Sequence, residues 1–424
     1  MKYLLDKLFL RSNNLDNVSH DLKDLTYKTP ANKIFKAINS YSDSSEIRYV
    51  GGCVRKIINK EKIDDIDLAT NLNPKDVCEA LKKSEINFYE TGIEHGTITA
   101  LIDDYKFEIT SLREDISTDG RHAEVKFSKD WKKDASRRDF TINAIYSDKE
   151  GNLFDPYHGK EDLEKGEVNF IGNPEKRIKE DYLRILRYLR FFLNYSKQKH
   201  KSENIKHIKM NLDGISKLSK ERLLDELKKI LSPKILKNIN NDKFCLEILE
   251  AIFPQLKYFK IFAKLNSYLS QVLKELDFIF IISLLVIDQT DNVDYFLYKF
   301  NISKKDQIRL KNIHEFYNEK ITSKTFSKEN LNKIFYFKGK EILIDILSFR
   351  IFKLKKLDNN LIELIKFYKD MIKPIMPIKA DNLMAKYKIP EGKVLGDKLR
   401  MIEKEWVNNN FKISDQQVEN IINN

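Results

Sequence analysis

Cysteine is scarce. Cys53, Cys78 and Cys245 are the only three in 424 residues, and none stands at a metal-ligand spacing from another. That count predicts neither a disulfide framework nor a zinc site. Long apolar runs are missing too. The most apolar stretch, FIFIISLLVI at 278–287, is too short to span a bilayer and reads as a buried helix. The opening MKYLLDKLFLRS has its apolar run broken by Asp6 and Lys7, with no small-residue cleavage site after it. We therefore expect no signal peptide, no membrane partner and a cytoplasmic location. No repeat of fixed period runs through the chain. His20–Asp21 is a lone His-Asp pair without the further His and Asp groups that a metal-dependent phosphohydrolase needs.

What the chain has in excess is positive charge. It carries 76 Lys and Arg against 64 Asp and Glu, a formal net charge of +12. The length suggests two to four domains. With 42% hydrophobic and 33% charged residues, the composition fits a folded protein. The charge favours a polyanionic partner, nucleic acid or an anionic membrane, with a general lysine bias as the alternative.

The pattern changes near Gly172. Before it, strand-like runs bounded by turns stand at 47–50 (IRYV), 96–102 (GTITALI), 105–112 (YKFEITSL) and 167–172 (EVNFIG), with helical PKDVCEALKKS at 74–84 between them. The Asp pair at 103–104 is placed to turn a hairpin. After Gly172 apolar residues recur three and four apart, as at 221–231, 341–352 and 361–372, and SP, FP and KPIMP at 232–233, 253–254 and 373–377 punctuate them. The expected fold is α+β: a head with a mixed sheet, then an all-α neck, body and tail.

Within the head, IDDIDLATN at 63–71 crowds Asp64, Asp65 and Asp67 downstream of VGGCVRK at 50–56. On a strand, Asp65 and Asp67 share a face and Asp64 points away to the surface. Paired carboxylates of this kind hold one or two Mg²⁺, which prefers oxygen ligands and phosphate. Gly51 and Gly52 permit close backbone approach to a phosphate, and Arg55 can clamp it. Glu108, on a neighbouring strand, supplies a third carboxylate. Such a set suits two-metal phosphoryl transfer. A lone D-x-D is more often a solvated acidic turn; the glycine pair and Glu108 favour the site.

The order GGCVRK…DDIDLAT, RRDFTINA (137–144), LFDPYHGKEDL (153–163) and KEDYLRILRYLRF (179–191) resembles class II tRNA nucleotidyltransferases. These are CCA-adding enzymes, grouped with bacterial poly(A) polymerases in the DNA polymerase beta superfamily. LREDISTDGRHAEVKF at 112–127 is similar to the family's flexible loop and its flanks. The resemblance is dense from Ile47 to Phe192, with one blurred echo, IPEGKVLGDKL, at 389–399. Two departures are Lys56, where the family usually has Asp or Asn, and Cys53, where it often has Ala. We expect Lys56 to face solvent.

The resemblance implies a nucleotidyltransferase using Mg²⁺, with CTP, ATP and tRNA as partners and no obligate protein partner. It implies an N-terminal extension (1–30), a catalytic head (31–172), a neck (173–235) and a tRNA-binding body and tail (236–424). Asp65, Asp67 and Glu108 would be catalytic, Asp65 and Asp67 as the metal ligands. Gly52, Arg55, Arg138 and Asp139 would hold the nucleotide, Asp139 facing its ribose; Arg137 and Asn143 rank lower. Asp181, Arg184, Arg187 and Arg190 form a stripe on one predicted helix. By resemblance Asp181 and Arg184 read the base, while Arg187 and Arg190 hold nucleotide and phosphates. Arg113, Asp119, Gly120 and Arg121 belong to the flexible loop. Cytosine and adenine each pair an amino donor with a ring-nitrogen acceptor, so one Asp–Arg pair suits both. The runners-up are a poly(A) polymerase, a partial enzyme adding only CC or only A, and a non-catalytic RNA-binding protein.

Overall fold

The computed structural model describes residues 16–63, 65–118, 123–322, 324–354 and 358–423. They form two compact units, one running to Ile230 and including Asp242–Ile248, the other made of Leu231–Asn241 and Leu249 onward.

In the first unit, α1 (Asp16–Lys28) and α2 (Ala31–Asn39) precede β1 (Ile47–Val50), α3 (Gly52–Ile58), β2 (Ile66–Thr70) and α4 (Pro74–Lys83). Next come β3 (Asn87–Gly92), β4 (Thr97–Ile102), β5 (Tyr105–Ser111), β6 (Arg113–Thr118) and β7 (Ala123–Phe127). Then follow α5 (Trp131–Ser136), β8 (Tyr146–Ser147), β9 (Leu153–Phe154) and α6 (Gly159–Lys165). The unit continues with α7 (Pro174–Glu180), α8 (Leu183–Tyr195), α9 (Ser202–Met210) and α10 (Lys220–Ile230).

Seven strands pair in the order β3-β4-β5-β2-β1-β8-β9. Only β2 and β5 run parallel, which puts Asp67 opposite Glu108. The β4–β5 hairpin closes on Ile102↔Tyr105, and Asp103 takes the positive φ of 53° that its two-residue turn demands. α4 starts with Pro74 behind an Asn73 cap that accepts from the Asp76 N–H, and buries Val77, Ala80 and Leu81 at helical spacing. α1 joins this core through fully buried Leu22 and Leu25 and a 3.0 Å bond between Thr26 and the Tyr49 hydroxyl.

Three expectations need correction. Residues 167–172 form no strand; Phe170 makes a single bridge to Phe140, flanked by backbone bonds from Thr141 N–H to the Asn169 carbonyl and from Ile171 N–H to the Asp139 carbonyl, and the two rings pack 4.7 Å apart. The 112–127 segment is largely a β6–β7 hairpin, whose tip with Asp119, Gly120 and Arg121 lies outside the described residues, as does Asp64. The helix read through 179–191 is two helices. Asp181 between them is extended (φ −153°) and its carboxylate accepts from the Leu183 N–H, a local side-chain bond that competes with helix.

The regular elements described in the second unit are all helical. Ile279 to Val286, within the helix Phe278–Val286, are all buried, as their composition predicts. No described helix is long and apolar enough to cross a membrane. Arg309 donates to both oxygens of Asp345 and, at 2.7 Å, to Asp277; the Arg309 and Asp345 side chains are only 10% and 9% exposed. A separate small core gathers Leu383, Leu395, Ile402 and Val418.

Removing one partner of a buried ion pair leaves the other charge without compensation. Arg309→Met is expected to destabilise the protein by about 3–5 kcal/mol. Arg309→Met combined with Asp345→Leu should recover most of that loss. Urea unfolding of the three proteins checks it.

Candidate active site

The turn after β1 forms one wall of a cleft in the first unit. Gly51 has φ +61°, and a Cβ on it would come within 3.3 Å of an Arg138 nitrogen and of the Asn143 carbonyl oxygen. On Gly52 a Cβ would lie 3.2 Å from the Asp67 carboxylate. The glycine pair thus lets α3 begin directly against Asp67 and Arg138. Arg55 on α3 is buried, donates to the Asn143 side chain and lies over the Phe191 ring at 4.7 Å. Lys56 also lines the cleft, so it does not simply face solvent as expected: in the last turn of α3 it stands one residue from Arg55.

Asp65 and Asp67 both line the cleft, Asp67 from β2 and Asp65 from the residue just before it. Burial raises the Asp67 pKa, and the Glu108 and Asp65 carboxylates add to the rise against Arg138. Glu108 lies beside Asp67 across the parallel ladder but is not among the lining residues; its carboxylate accepts from Lys106 at 2.6 Å. Crowded oxygen donors, charged and short of compensation, are the donor set that a hard divalent cation fits.

The RRDF segment supplies the opposite wall. Arg138 and Asp139 line the cleft, and Asp139 is buried with both oxygens engaged: Phe140 N–H and Asn143 on one, Arg187 on the other. Asn143 therefore orients Arg55 and Asp139 together. Asp134, which the sequence reading passed over, organises the two arginines. Its side chain is 1% exposed and accepts from Arg137 on one oxygen, from Arg138 at 3.2 Å and from the Tyr146 hydroxyl at 2.7 Å on the other. The signal was available: on a helical turn, Arg137 and Arg138 stand three and four residues after it.

Asp181, Arg184, Arg187 and Arg190 all line the cleft, the three arginines from α8 and Asp181 from the break before it. Each already has a partner. Asp181 accepts from Arg222 at 2.7 Å; Arg184 donates to Glu180 at 2.6 Å and to the Arg177 carbonyl at 2.7 Å; Arg190 donates to Glu226. Arg222 and Glu226 were not foreseen, because α10 lies some forty residues downstream and only the fold brings it to α8; Glu180, four residues before Arg184, was local and passed over. Arg113 lines the same cleft from the start of β6.

The cleft measures ≈ 1260 Å³, and ten Lys and Arg side chains face six carboxylates around it. A pocket of that size, with excess positive charge and two carboxylates at one end, suits a nucleoside triphosphate with its cation.

The Poly A polymerase head domain family matches residues 47–169. The human mitochondrial CCA tRNA nucleotidyltransferase 1 is 46% identical over 192 residues, which are 45% of this chain and 44% of that protein, so the alignment spans less than half of the relative. The Staphylococcus haemolyticus CCA-adding enzyme is 32% identical over 308 residues, 72% of either chain. The crystal structure of the Bacillus stearothermophilus CCA-adding enzyme in complex with CTP superposes with a TM-score of 0.66 over 90% of this chain and 92% of that one, at 20% identity. This last likeness is one of fold.

Burial alone would raise the Asp134 pKa, but Arg138 and Arg137 outweigh it and hold the carboxyl at about 2, below its ordinary 3.8. A lowered folded-state value stabilises the protein above the unfolded pKa, and the gain disappears as pH falls through the folded value. Asp134→Asn is therefore expected to cost roughly 2–3 kcal/mol at neutral pH. The gap to wild type should narrow between pH 4 and pH 2, which denaturation measured across that range would check.

Proposed function

Because this chain belongs to the CCA-adding enzyme family, we propose that it adds C, C and A to the 3′ end of tRNA from CTP and ATP, releasing pyrophosphate. The observation that carries the reading is the meeting of Asp65 and Asp67 with Asp181, Arg184 and Arg187 in one cationic cleft. Mg²⁺ is our choice of cation, held by Asp65 and Asp67 with Glu108 adding negative potential from the next strand; when bound it supplies Lewis-acid activation of phosphoryl oxygen and attacking hydroxyl. Arg55, Arg138 and Lys56 then face the triphosphate. Asp139 takes the ribose side, its carboxylate held in place by Asn143 and Arg187.

Base choice follows from Asp181 and Arg184. Both groups are already hydrogen-bonded, to Arg222 and to Glu180, so an incoming base exchanges partners with them rather than filling an empty slot. Cytosine and adenine complete that exchange: the carboxylate accepts their amino group and the guanidinium donates to their ring nitrogen. Uracil and guanine present a carbonyl beside a ring N–H and leave both charged groups mispaired, at a cost of about 1–3 kcal/mol each. Repeated ATP addition uses the same chemistry and is the second reading. Its support is the description of the matching family, Poly A polymerase head domain, over residues 47–169. The basic excess of the chain supports tRNA as the polyanion, bound through its phosphates by the helical segment after 235. The cysteines are unbridged, which suits a reducing compartment, and we read it as the cytoplasm.

Asp67→Ala is expected to abolish nucleotide transfer and leave tRNA binding near wild type. Transfer assays beside gel shifts on tRNA lacking its 3′ end measure both; near-normal turnover would remove Asp67 from the mechanism. Asp181→Ala with Arg184→Ala should keep some transfer while the disadvantage of UTP and GTP shrinks more than tenfold, since ~1.4 kcal/mol is one decade. Incorporation of each nucleotide alone, on tRNA ending before the first C, reads this out. Unchanged selectivity would place the template elsewhere.

A further inference from the structure

Apart from the cleft, one cluster in the first unit gathers three different metal-ligand types. The imidazole of His200, the carboxylate of Asp242 and the thiol of Cys245 place one ligand atom each within 4.8 Å of one another. None of the three lines the nucleotide cleft. We propose that His200, Asp242 and Cys245 form a binding site for one divalent transition-metal ion of the zinc type, with water as the fourth ligand.

Three observations support it. First, the spacing is close to that of a tetrahedral site. With metal–sulfur near 2.3 Å and metal–nitrogen near 2.05 Å, sulfur and nitrogen should stand about 3.6 Å apart, and nitrogen and oxygen about 3.3 Å. Here Cys245 Sγ is 3.8 Å from His200 Nε2, and that nitrogen is 2.9 Å from Asp242 Oδ2. Shifts of less than about half an ångström would seat the ion. Second, the outer nitrogen of the ring has its own partner. Tyr188 Oη lies 3.0 Å from Nδ1, leaving Nε2 to face the other two ligands, and a metal-bound histidine is ordinarily fixed in this way. Asp242 is likewise oriented, its Oδ1 accepting from the Cys245 N–H at 2.8 Å.

Third, the surroundings restrict water without excluding it. The ring of Phe192 stacks on His200 at 3.6 Å and Phe244 meets it edge-on at 4.7 Å. The Asp242 side chain is 20% exposed, which leaves a route for the ion and the water ligand. On binding, the sulfur–metal bond forms, the thiol proton leaves to solvent, and affinity rises with pH. Bound there, the ion would tie the segment after α8 to the start of the helix Lys243–Ile252. The sequence hid this set because only Asp242 and Cys245 are close in the chain.

The test uses the full chain, stripped by a chelator and titrated with Zn²⁺ against a chromophoric competitor in excess Mg²⁺, which occupies the cleft carboxylates. One equivalent should bind with sub-micromolar affinity, and proton release should accompany it. Co²⁺ in its place should give the near-ultraviolet absorption of a thiolate–cobalt bond, a readout on wild type that needs no variant. Cys78→Ser should keep both signals, and Cys245→Ala and Asp242→Asn should each weaken zinc binding at least a hundredfold. Wild type binding no zinc, or both variants binding as wild type does, would overturn the proposal and leave the cluster a hydrogen-bonded relay only.

Discussion

The half-buried ion pair between Asp139, which is buried, and Arg187, whose side chain is 30% exposed, is the interaction on which the cleft depends. Taking two charges out of water costs several kcal/mol per ion, so such a pair persists only where further hydrogen bonds complete it. Here Asn143 and the Phe140 N–H complete the carboxylate. Asn143 also receives Arg55, so a single amide ties α3, the RRDF segment and α8 together. Arg55 and Arg190 then lie over the Phe191 ring, at 4.7 and 4.1 Å, which lets several cations share a small volume against an aromatic face.

That economy shapes the chemistry. Most groups proposed to touch the nucleotide are already satisfied within the protein. Asp181 is held by Arg222 and Arg184 by Glu180, so both groups proposed to read the base are compensated within the protein. Under the proposed reading, selectivity would rest on a comparison between two sets of hydrogen bonds, and a wrong base would lose because it could not replace what it displaces. On the other side the balance is reversed: Asp67 has carboxylate neighbours and a raised pKa, and a cation is what that end lacks.

The sequence showed what is local. IRYV, GTITALI and YKFEITSL are strands at almost the expected bounds, since alternation and the Asp103–Asp104 turn are encoded within a few residues. The glycine pair and the two aspartates were legible for the same reason. Asp181 was misplaced onto a helix because its capping bond to Leu183 does not disturb the i, i+3 spacing of the arginines that follow. Glu108 was placed correctly on a strand beside that of Asp67, but periodicity could not say that Lys106, two residues away on its own strand, would take its carboxylate. Arg222, Glu226 and the Cys245 cluster are products of long-range packing, and spacing along the chain carries no trace of it.

The small core around Leu383, Leu395, Ile402 and Val418 has a consequence for how the chain comes apart. It closes on residues from Met376 to Ile422, after a stretch at 371–379 that contains no helix. The Tyr336 ring packs 5.4 Å from that of Trp406, and polar links from Tyr336 to Glu403 and Asn332 to Asn410 add to its junction with the helix Lys328–Phe337. So few buried apolar groups make it a cooperative unit of its own, opening at a lower free energy than the aromatic core before it. Amide hydrogens in this tail would exchange as a block, ahead of global unfolding, and a protease would find its first cut there.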